Sequence, residues 1–387
     1  MARIAGGNKD VFKRMNRGLL LQLLATRQCT SRSELSRAMG LSKMAISNMV
    51  AELMDLGYLV EGRAAPNEEL GRNPIELNIA PSAPKTVGVL IFRDRCEAVL
   101  CDLNLTILAR RKLPMRAMGR EALMDQVCAL IDGVMEGADQ VLGIGVAGIC
   151  PLDTAKGVIL NPEYFYGIAD VPIVERLTAR YGLPVWLEND NQCGVLAEEL
   201  YGNGRGYSNI ILLGIAQGVG CGLVVDGELY HNDQRLMPEF GHVSIDYKGR
   251  PCPCGSRGCI ETYISTHILL EELQAATGKP YSFQTFCQMD TNVAVNRILS
   301  KAMEKLAAAL VSTINLLNVE LVILAYDSAC LSDGMLLQLE QKLNEAKFAK
   351  HAGHIRVARP RFMQDAQLLG GACLVNSKLF SGDLLAV

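Results

Sequence analysis

One short segment of the chain combines a histidine and three cysteines at a spacing that suits a metal ion. It runs from GHVSID through PCPCGSRGCIETY and places His242, Cys252, Cys254 and Cys259 as H-x9-C-x-C-x4-C. Cysteine thiolates and a histidine nitrogen are ligands of closed tetrahedral zinc sites, which leave no position for a reactive water. The prolines and glycines between the cysteines favour a tight loop that can wrap around an ion. The spacing therefore predicts a structural Zn²⁺, with separately buried cysteines as the alternative.

Three groups of polar residues could hold a ligand with several hydroxyl groups. Asn189 and Asp190 follow the apolar run PVWL, Glu239 stands three residues before His242, and Glu261 lies two residues after the last cysteine. Loops at strand ends gather ligand groups in open α/β sheets. Carboxylates and an amide suit a sugar, and Asp190 could act as a general base on one of its hydroxyls. The alternative is that these residues are solvated acids or helix caps. A metal that fixes His242 and Cys259 would bring Glu239 and Glu261 close together, which favours the sugar interpretation.

A glycine-rich stretch, GIAQGVGCG, contains Gly214, Gly218, Gly220 and Gly222 between two strand-like runs. Such a turn can cradle phosphate with backbone N–H groups. It can equally be a plain hairpin, and the sequence leaves both possibilities open.

The first eighty residues have the pattern of a DNA-binding head. Two short helical segments with serine caps flank a turn at Gly40, and the second segment keeps polar residues on its outer face. A two-stranded wing follows, with Arg72 at its tip, where an arginine suits an A·T-rich minor groove. A small helical interaction domain is the alternative. The residues predicted to contact DNA are Ser42, Lys43, Ser47, Asn48 and Arg72.

Charge is distributed unevenly over the 387 residues. Residues 1–80 carry 11 Lys/Arg and 8 Asp/Glu, a net charge of +3, whereas the remainder has a net charge of −6. This asymmetry indicates that only residues 1–80 would contact a polyanion. No apolar run of about 18 residues is present, so no membrane span is expected. The start MARIAGGNKD lacks the apolar region of a secretory signal, so we expect a cytoplasmic protein whose 13 cysteines are reduced.

After a linker at Pro81 and Pro84, apolar strand-like runs alternate with helical stretches. The runs are TVGVLI, EAVLCDL, QVLGIGVAGIC, IILLGI, CGLVVDG and LVILAY. Alternating strands and helices predict an α/β architecture. Because the strands fall into two separate sets, we expect two lobes with a cleft between them.

Over nearly its whole length the chain resembles the ROK family of repressors and sugar kinases, and within it the transcriptional branch. The zinc motif carries the resemblance, together with the ordered segments GIGVAGICPLD, PVWLENDNQ, GVGCGLVVDGELY and PEFGH and the terminal LLGGACLVNSKLF. The resemblance implies a winged helix-turn-helix over residues 1–80, followed by an actin-like, hexokinase-like ROK domain over 81–387. Its first lobe would comprise residues 85–195 with the helix 366–387, and its second lobe residues 196–365.

The resemblance also implies residue roles. His242, Cys252, Cys254 and Cys259 would hold Zn²⁺. A sugar pocket would be lined by Asn189, Asp190, Glu239, His242 and Glu261. Asp190 occupies the position of the catalytic base in the family's kinases.

Departures from the family's kinases favour a regulator over an enzyme. Leu90 stands where the first phosphate loop carries an aspartate, Ala216-Gln217-Gly218 replaces G-T-G in the second, and Ala325-Tyr326 replaces glycines in the adenosine loop. Phosphoryl transfer depends on positioning phosphate and metal, so these losses should abolish it.

We therefore expect a non-enzymatic repressor that binds an inverted-repeat operator in double-stranded DNA. A monosaccharide or sugar derivative would release it, and it would act as a homo-oligomer, a dimer or a tetramer. A sugar kinase with an added DNA-binding head is one alternative, and a regulator controlled by a protein partner is another.

Overall fold

The computed structural model describes residues 9–64, 75–231, 237–289, 291–349 and 353–385. The chain divides into two compact units, Met1–Glu188 with Gly371–Val387, and Asn189–Gly370. Within the described ranges, no helix has the length and apolar character needed to cross a membrane.

The first unit begins with three helices and a two-stranded hairpin, as the sequence predicts. These elements are α1 (Lys9–Ala25), α2 (Arg32–Met39), α3 (Lys43–Asp55), β1 (Leu59–Ala64) and β2 (Ile75–Ile79). Ser31 caps α2 by accepting from the backbone N–H of Glu34, and Ser42 caps α3 in the same way through Ala45. Gly40 ends α2 with φ 65°, a conformation that glycine adopts without steric cost. The strands pair antiparallel, and the wing tip between them, with Arg72, lies outside the described residues.

The apolar side of α3 fixes its orientation in the head. Ile46, Val50 and Leu53 are fully buried, so the opposite side of the helix is left to solvent. The nearly buried Arg17 of α1 donates to the carboxylate of Glu52 on α3. That hydrogen bond lowers the pKa of Glu52 and ties the first helix to the third.

A five-stranded mixed sheet with its helices follows the head in the first unit. Its elements are β3 (Lys85–Ile91), β4 (Arg95–Cys101), β5 (Ile107–Pro114), α4 (Arg120–Met135), β6 (Val141–Gly148), β7 (Leu152–Asp153), β8 (Val158–Ile159), α5 (Ile173–Tyr181) and β9 (Val185–Asn189). The strand order is β5-β4-β3-β6-β9, with β3 antiparallel to β4 and parallel to β6, while β7 and β8 pair separately. Nearly every residue of β3 and β4 is buried, as expected for strands covered on both faces.

The second unit contains another five-stranded sheet surrounded by helices. Its elements are α6 (Asp190–Tyr201), β10 (Ile210–Ile215), β11 (Val219–Val225), β12 (Glu228–Leu229), α7 (Glu261–Ile264), α8 (Thr266–Thr277), α9 (Phe283–Cys287), α10 (Val293–Leu317), β13 (Leu321–Tyr326), α11 (Asp333–Ala346), β14 (Arg356–Ala358) and the first five residues of α12 (Ala366–Phe380). The strand order is β12-β11-β10-β13-β14. The two sheets and their helices confirm the predicted α/β fold class.

Helix α12 contributes residues to both units, and two adjacent glycines let it pack closely. A Cβ on Gly370 would lie 2.0 Å from the carbonyl oxygen of Cys193 on α6. A Cβ on Gly145 of β6 would lie 1.9 Å from the carbonyl oxygen of Gly371. Near the C-terminal end of the helix, a Cβ on Gly18 of α1 would lie 2.1 Å from the carbonyl oxygen of Phe380. One helix therefore contacts α6 at its start and the helical head at its end.

Candidate functional site

The four residues of the H-x9-C-x-C-x4-C spacing come together in the second unit. Their ligand atoms all lie within 4.8 Å of one another. The His242 Nδ1 and Cys252 Sγ atoms are 3.6 Å apart, and the Sγ atoms of Cys254 and Cys259 are 3.7 Å apart. The group can hold a metal ion.

A short, tightly bonded loop brings these ligands together. His242 ends the 3-10 turn Phe240–His242, and the backbone of Cys252 donates to the carbonyl oxygen of Ser256 at 3.0 Å. Gly258 has φ 71°, and a Cβ there would lie 1.9 Å from the carbonyl oxygen of Asp246. Only glycine fits that position, so Gly258 is needed for the loop to close.

A second cluster surrounds the carboxylate of Asp190, the first residue of α6. Its Oδ1 atom accepts from the Asn189 side chain at 2.9 Å, and from the backbone and side chain of Asn191 at 2.9 and 3.1 Å. Its Oδ2 atom accepts from the Tyr326 hydroxyl at 2.5 Å. All four residues are buried. A carboxylate at a helix N-terminus is also favoured by the helix dipole.

The glycine-rich stretch forms the hairpin between β10 and β11, and its glycines make room for α6. A Cβ on Gly214 would lie 1.9 Å from Asn191 Oδ1, and one on Gly222 would lie 2.1 Å from the Asn191 carbonyl oxygen. The stretch is therefore a hairpin, and phosphate binding by its backbone stays a prediction. These glycines bring the backbone of the hairpin against the start of α6.

Glu239, His242 and Glu261 form a third group beside the same hairpin. The Glu261 side chain accepts from the backbone N–H of Val219 at 2.8 Å. Burial raises the pKa of Glu239; the negative charge of Glu261 raises it further, while His242 opposes the shift. The hairpin thus contacts both polar groups, one through Asn191 and the other through Glu261.

Tyr326 is a member of the cluster that sequence reasoning did not identify as a contact of Asp190. It ends β13 with φ 55° and ψ −131°, a backbone conformation that favours glycine. Holding a tyrosine there costs free energy, and such strain is common at functional positions. Pairing of β13 with β10, which sets Tyr326 opposite Ile215, brings it to this end of the sheet.

The outer side of α3 carries the predicted DNA contacts that fall within the described residues. Lys43, Ser47 and Asn48 are exposed, and the neighbouring Met44 is 72% exposed. The Ser42 hydroxyl is exposed and also caps the helix, since it accepts from the N–H of Ala45 at 3.2 Å. An exposed helix N-terminus with these side chains suits a DNA groove and its phosphates.

Comparison with known proteins connects these features to one family. The model of the ROK family matches residues 86–378. The xylose repressor of Bacillus subtilis is 26% identical over 375 residues, covering 95% of this chain and 96% of the repressor. A crystal structure described as a ROK family transcriptional regulator, a homologue of the Escherichia coli MLC protein, has 23% identity and a TM-score of 0.81, and the match covers 97% of this chain and 98% of that one.

The family also includes enzymes. The glucokinase of Thermotoga maritima is 26% identical over 280 residues, which cover 67% of this chain and 87% of the kinase. The family model spans well over half of the present chain, including the group of His242 and the three cysteines and both polar groups. The chain therefore belongs to the ROK family.

Proposed function

We propose that this protein is a sugar-responsive, DNA-binding transcriptional repressor whose affinity for its operator falls when a monosaccharide binds. The observation that carries the proposal is the combination, in one chain, of a helical head with an exposed α3 and a buried polar cluster around Asp190. Relatives that match nearly the full length, head included, are called repressor or transcriptional regulator, which supports the same function.

The sugar would bind beside the hairpin between β10 and β11. Its proposed ligands are Asn189, Asp190, Glu239, His242 and Glu261. Carboxylate oxygens accept hydrogen bonds from sugar hydroxyls, and a buried polar group that loses its partner costs about 1–3 kcal/mol. A site of this kind distinguishes a hydroxylated ligand from its deoxy analogue.

The surroundings of Asp190 favour binding over phosphoryl transfer. Four hydrogen bonds converge on the carboxylate, one of them from Tyr326, so it is held as an acceptor instead of being left to take a proton from a substrate. The N–H of Val219, which directly follows the second phosphate-loop position Ala216-Gln217-Gly218, is already bonded to Glu261. Leu90, at the position of the first phosphate-loop aspartate, is buried in β3. No catalytic residue is therefore assigned.

The metal is proposed to be Zn²⁺ with a structural role. With Zn–S of about 2.3 Å and Zn–N of about 2.05 Å, a tetrahedral site places two sulfurs about 3.8 Å apart and a sulfur and a nitrogen about 3.6 Å apart. The corresponding separations here are 3.7 Å between Cys254 and Cys259, and 3.6 Å between Cys252 and His242. Four protein ligands leave no position for a reactive water.

The head would read an inverted repeat in double-stranded DNA as part of a dimer or tetramer. Lys43, Ser47 and Asn48 would reach the major groove, with the Ser42 end of α3 near a phosphate. Arg72, at the wing tip, would enter an A·T-rich minor groove.

Helix α12 offers a route by which a sugar could act on the head. Its start packs on α6, the helix that begins with Asp190, and its end packs on α1 at Gly18. For a sugar to release DNA, it must bind the arrangement with low DNA affinity more tightly. A change at α6 that moves α12 would reach α1, because the backbone of α12 lies close to both helices.

The proposal is tested by titrating the protein with operator DNA, selected from random sequence, in the presence and absence of a panel of monosaccharides and their phosphates. We expect one compound to weaken operator binding without being phosphorylated. Turnover of ATP in a coupled assay with the same panel would instead identify a kinase. If no compound shifts operator binding, control by a protein partner becomes the better account.

A further inference from the structure

Two cysteines outside the metal cluster lie unusually close together in the second unit. Cys287 is the last residue of α9, and Cys330 ends the 3-10 turn Asp327–Cys330 that follows β13. Their sulfur atoms are 2.9 Å apart although the residues are 43 positions apart in the chain. The sulfurs of a disulfide are about 2.05 Å apart, so bond formation needs an approach of about 0.9 Å.

The two thiols differ in a way that suits stepwise oxidation. Cys287 is 4% exposed within the apolar core, whereas Cys330 is only partly buried and can be reached by a small oxidant. The hydrogen bond between the Cys330 and Cys287 sulfurs lowers the pKa of Cys330, an effect that burial opposes. Thiolates react with peroxide and thiols do not, so the more accessible sulfur is also the more reactive one.

We propose that Cys287 and Cys330 are a site of reversible disulfide formation, with hydrogen peroxide as the oxidant. The Cys330 thiolate attacks one peroxide oxygen and becomes a sulfenic acid, and the displaced hydroxide takes up the thiol proton to leave as water. The Cys287 sulfur then attacks the Cys330 sulfur, which releases a second water and forms the S–S bond. The two sulfurs lose two electrons and the peroxide gains them; a dithiol reverses the reaction.

The bridge would act on the backbone next to the polar cluster. The turn that carries Cys330 begins directly after Tyr326, whose hydroxyl bonds to Asp190. A covalent link to α9 fixes this turn and closes a loop that includes α10 and β13. Closing a loop of this length removes conformational freedom from the unfolded chain, so the oxidised protein should melt several degrees higher.

The test treats the full chain with hydrogen peroxide and compares it before and after addition of dithiothreitol. We expect peptide mass mapping to find one cross-link, between Cys287 and Cys330, and the melting temperature to rise by roughly 5–10 °C and to return on reduction. Cys330→Ser and Cys287→Ser should each lose both effects. Cys128→Ser, a change of a half-buried cysteine on α4, should keep them.

Because Cys287 is buried, its substitution could lower stability by itself. Cys330 is only partly buried, so Cys330→Ser is the variant that decides whether the disulfide forms. Absence of the cross-link in the oxidised wild type would overturn the proposal. So would a cross-link from Cys330 to a different cysteine, or a rise in melting temperature that persists in Cys330→Ser.

Discussion

The contact between α1 and α12 can be tested by adding a single methyl group. A Cβ on Gly18 would lie 2.1 Å from the carbonyl oxygen of Phe380 and 2.7 Å from its carbonyl carbon. Ordinary contacts of a Cβ begin at 3.4 Å, so Gly18→Ala forces the two helices apart by about 1.3 Å along that line. Overpacking of this kind costs about 1–3 kcal/mol. Alanine regains up to about 1 kcal/mol through its higher helix propensity, which leaves a net loss of up to about 2 kcal/mol.

Urea denaturation of the full chain measures this loss directly, and Gly133→Ala is the matched control. Gly133 is also inside a helix, α4, but the atoms nearest to a Cβ there belong to the flexible side chain of Arg111, at 3.3 Å. We expect Gly18→Ala to lower the unfolding midpoint and Gly133→Ala to leave it unchanged or raise it. If α12 transmits the sugar signal, Gly18→Ala should also reduce the effect of the sugar on operator binding. Equal unfolding midpoints for the two variants would refute the tight packing of α1 on α12.

Three further predictions concern the metal, a buried carboxyl group and the head. Cys254→Ser should lower the zinc content below one ion per chain and destabilise the second unit, because metal binding contributes to folding; equal zinc content and melting in the variant and wild type would contradict this. Burial raises the pKa of the Glu199 carboxyl group to about 7. The contribution of this protonated group to the free energy of unfolding is therefore complete below about pH 4.5 and is lost as the pH rises through 7. Glu199→Gln should therefore gain up to about 3 kcal/mol over the wild type between pH 5 and 8 in pH-dependent unfolding, whereas a constant difference would argue against a raised pKa. Asn48→Ala should cost about 1–3 kcal/mol in operator binding but little on unrelated DNA, as measured by fluorescence anisotropy, and equal losses on both would remove Asn48 from base readout.

Short-range features of the fold could be predicted from the sequence. The serine caps of α2 and α3, the glycine turn between them and the apolar side of α3 all depend on residues within one or two turns, and the structure has them as predicted. The spacing of His242 and the three cysteines lies within a single loop, so the sequence alone was enough to bring the four together.

Contacts that depend on strand register could not be predicted in this way. Tyr326 and Asp190 are 136 residues apart, and they meet only because β13 lies beside β10, whose hairpin also contacts the start of α6. The sequence showed that Tyr326 departs from the adenosine loop of the family's kinases, but it did not predict the hydrogen bond to Asp190. Similarly, the adjacent Gly370 and Gly371 read as part of an apolar helix, and only the structure places each against a different backbone.

The central claim is that a sugar bound at Asp190 controls operator binding. Operator titrations of wild type, Asp190→Ala and Asp333→Ala, each with and without the best-binding monosaccharide, test it most directly. Asp333 is an acid of the same unit whose side chain is 92% exposed, so it controls for loss of charge. We predict that Asp190→Ala binds operator normally without sugar but needs at least about tenfold more sugar for release, since a buried hydrogen bond to a charged group contributes about 1.5–3 kcal/mol. Asp333→Ala should respond as the wild type does. Release of wild type and Asp190→Ala at the same sugar concentration would contradict the account.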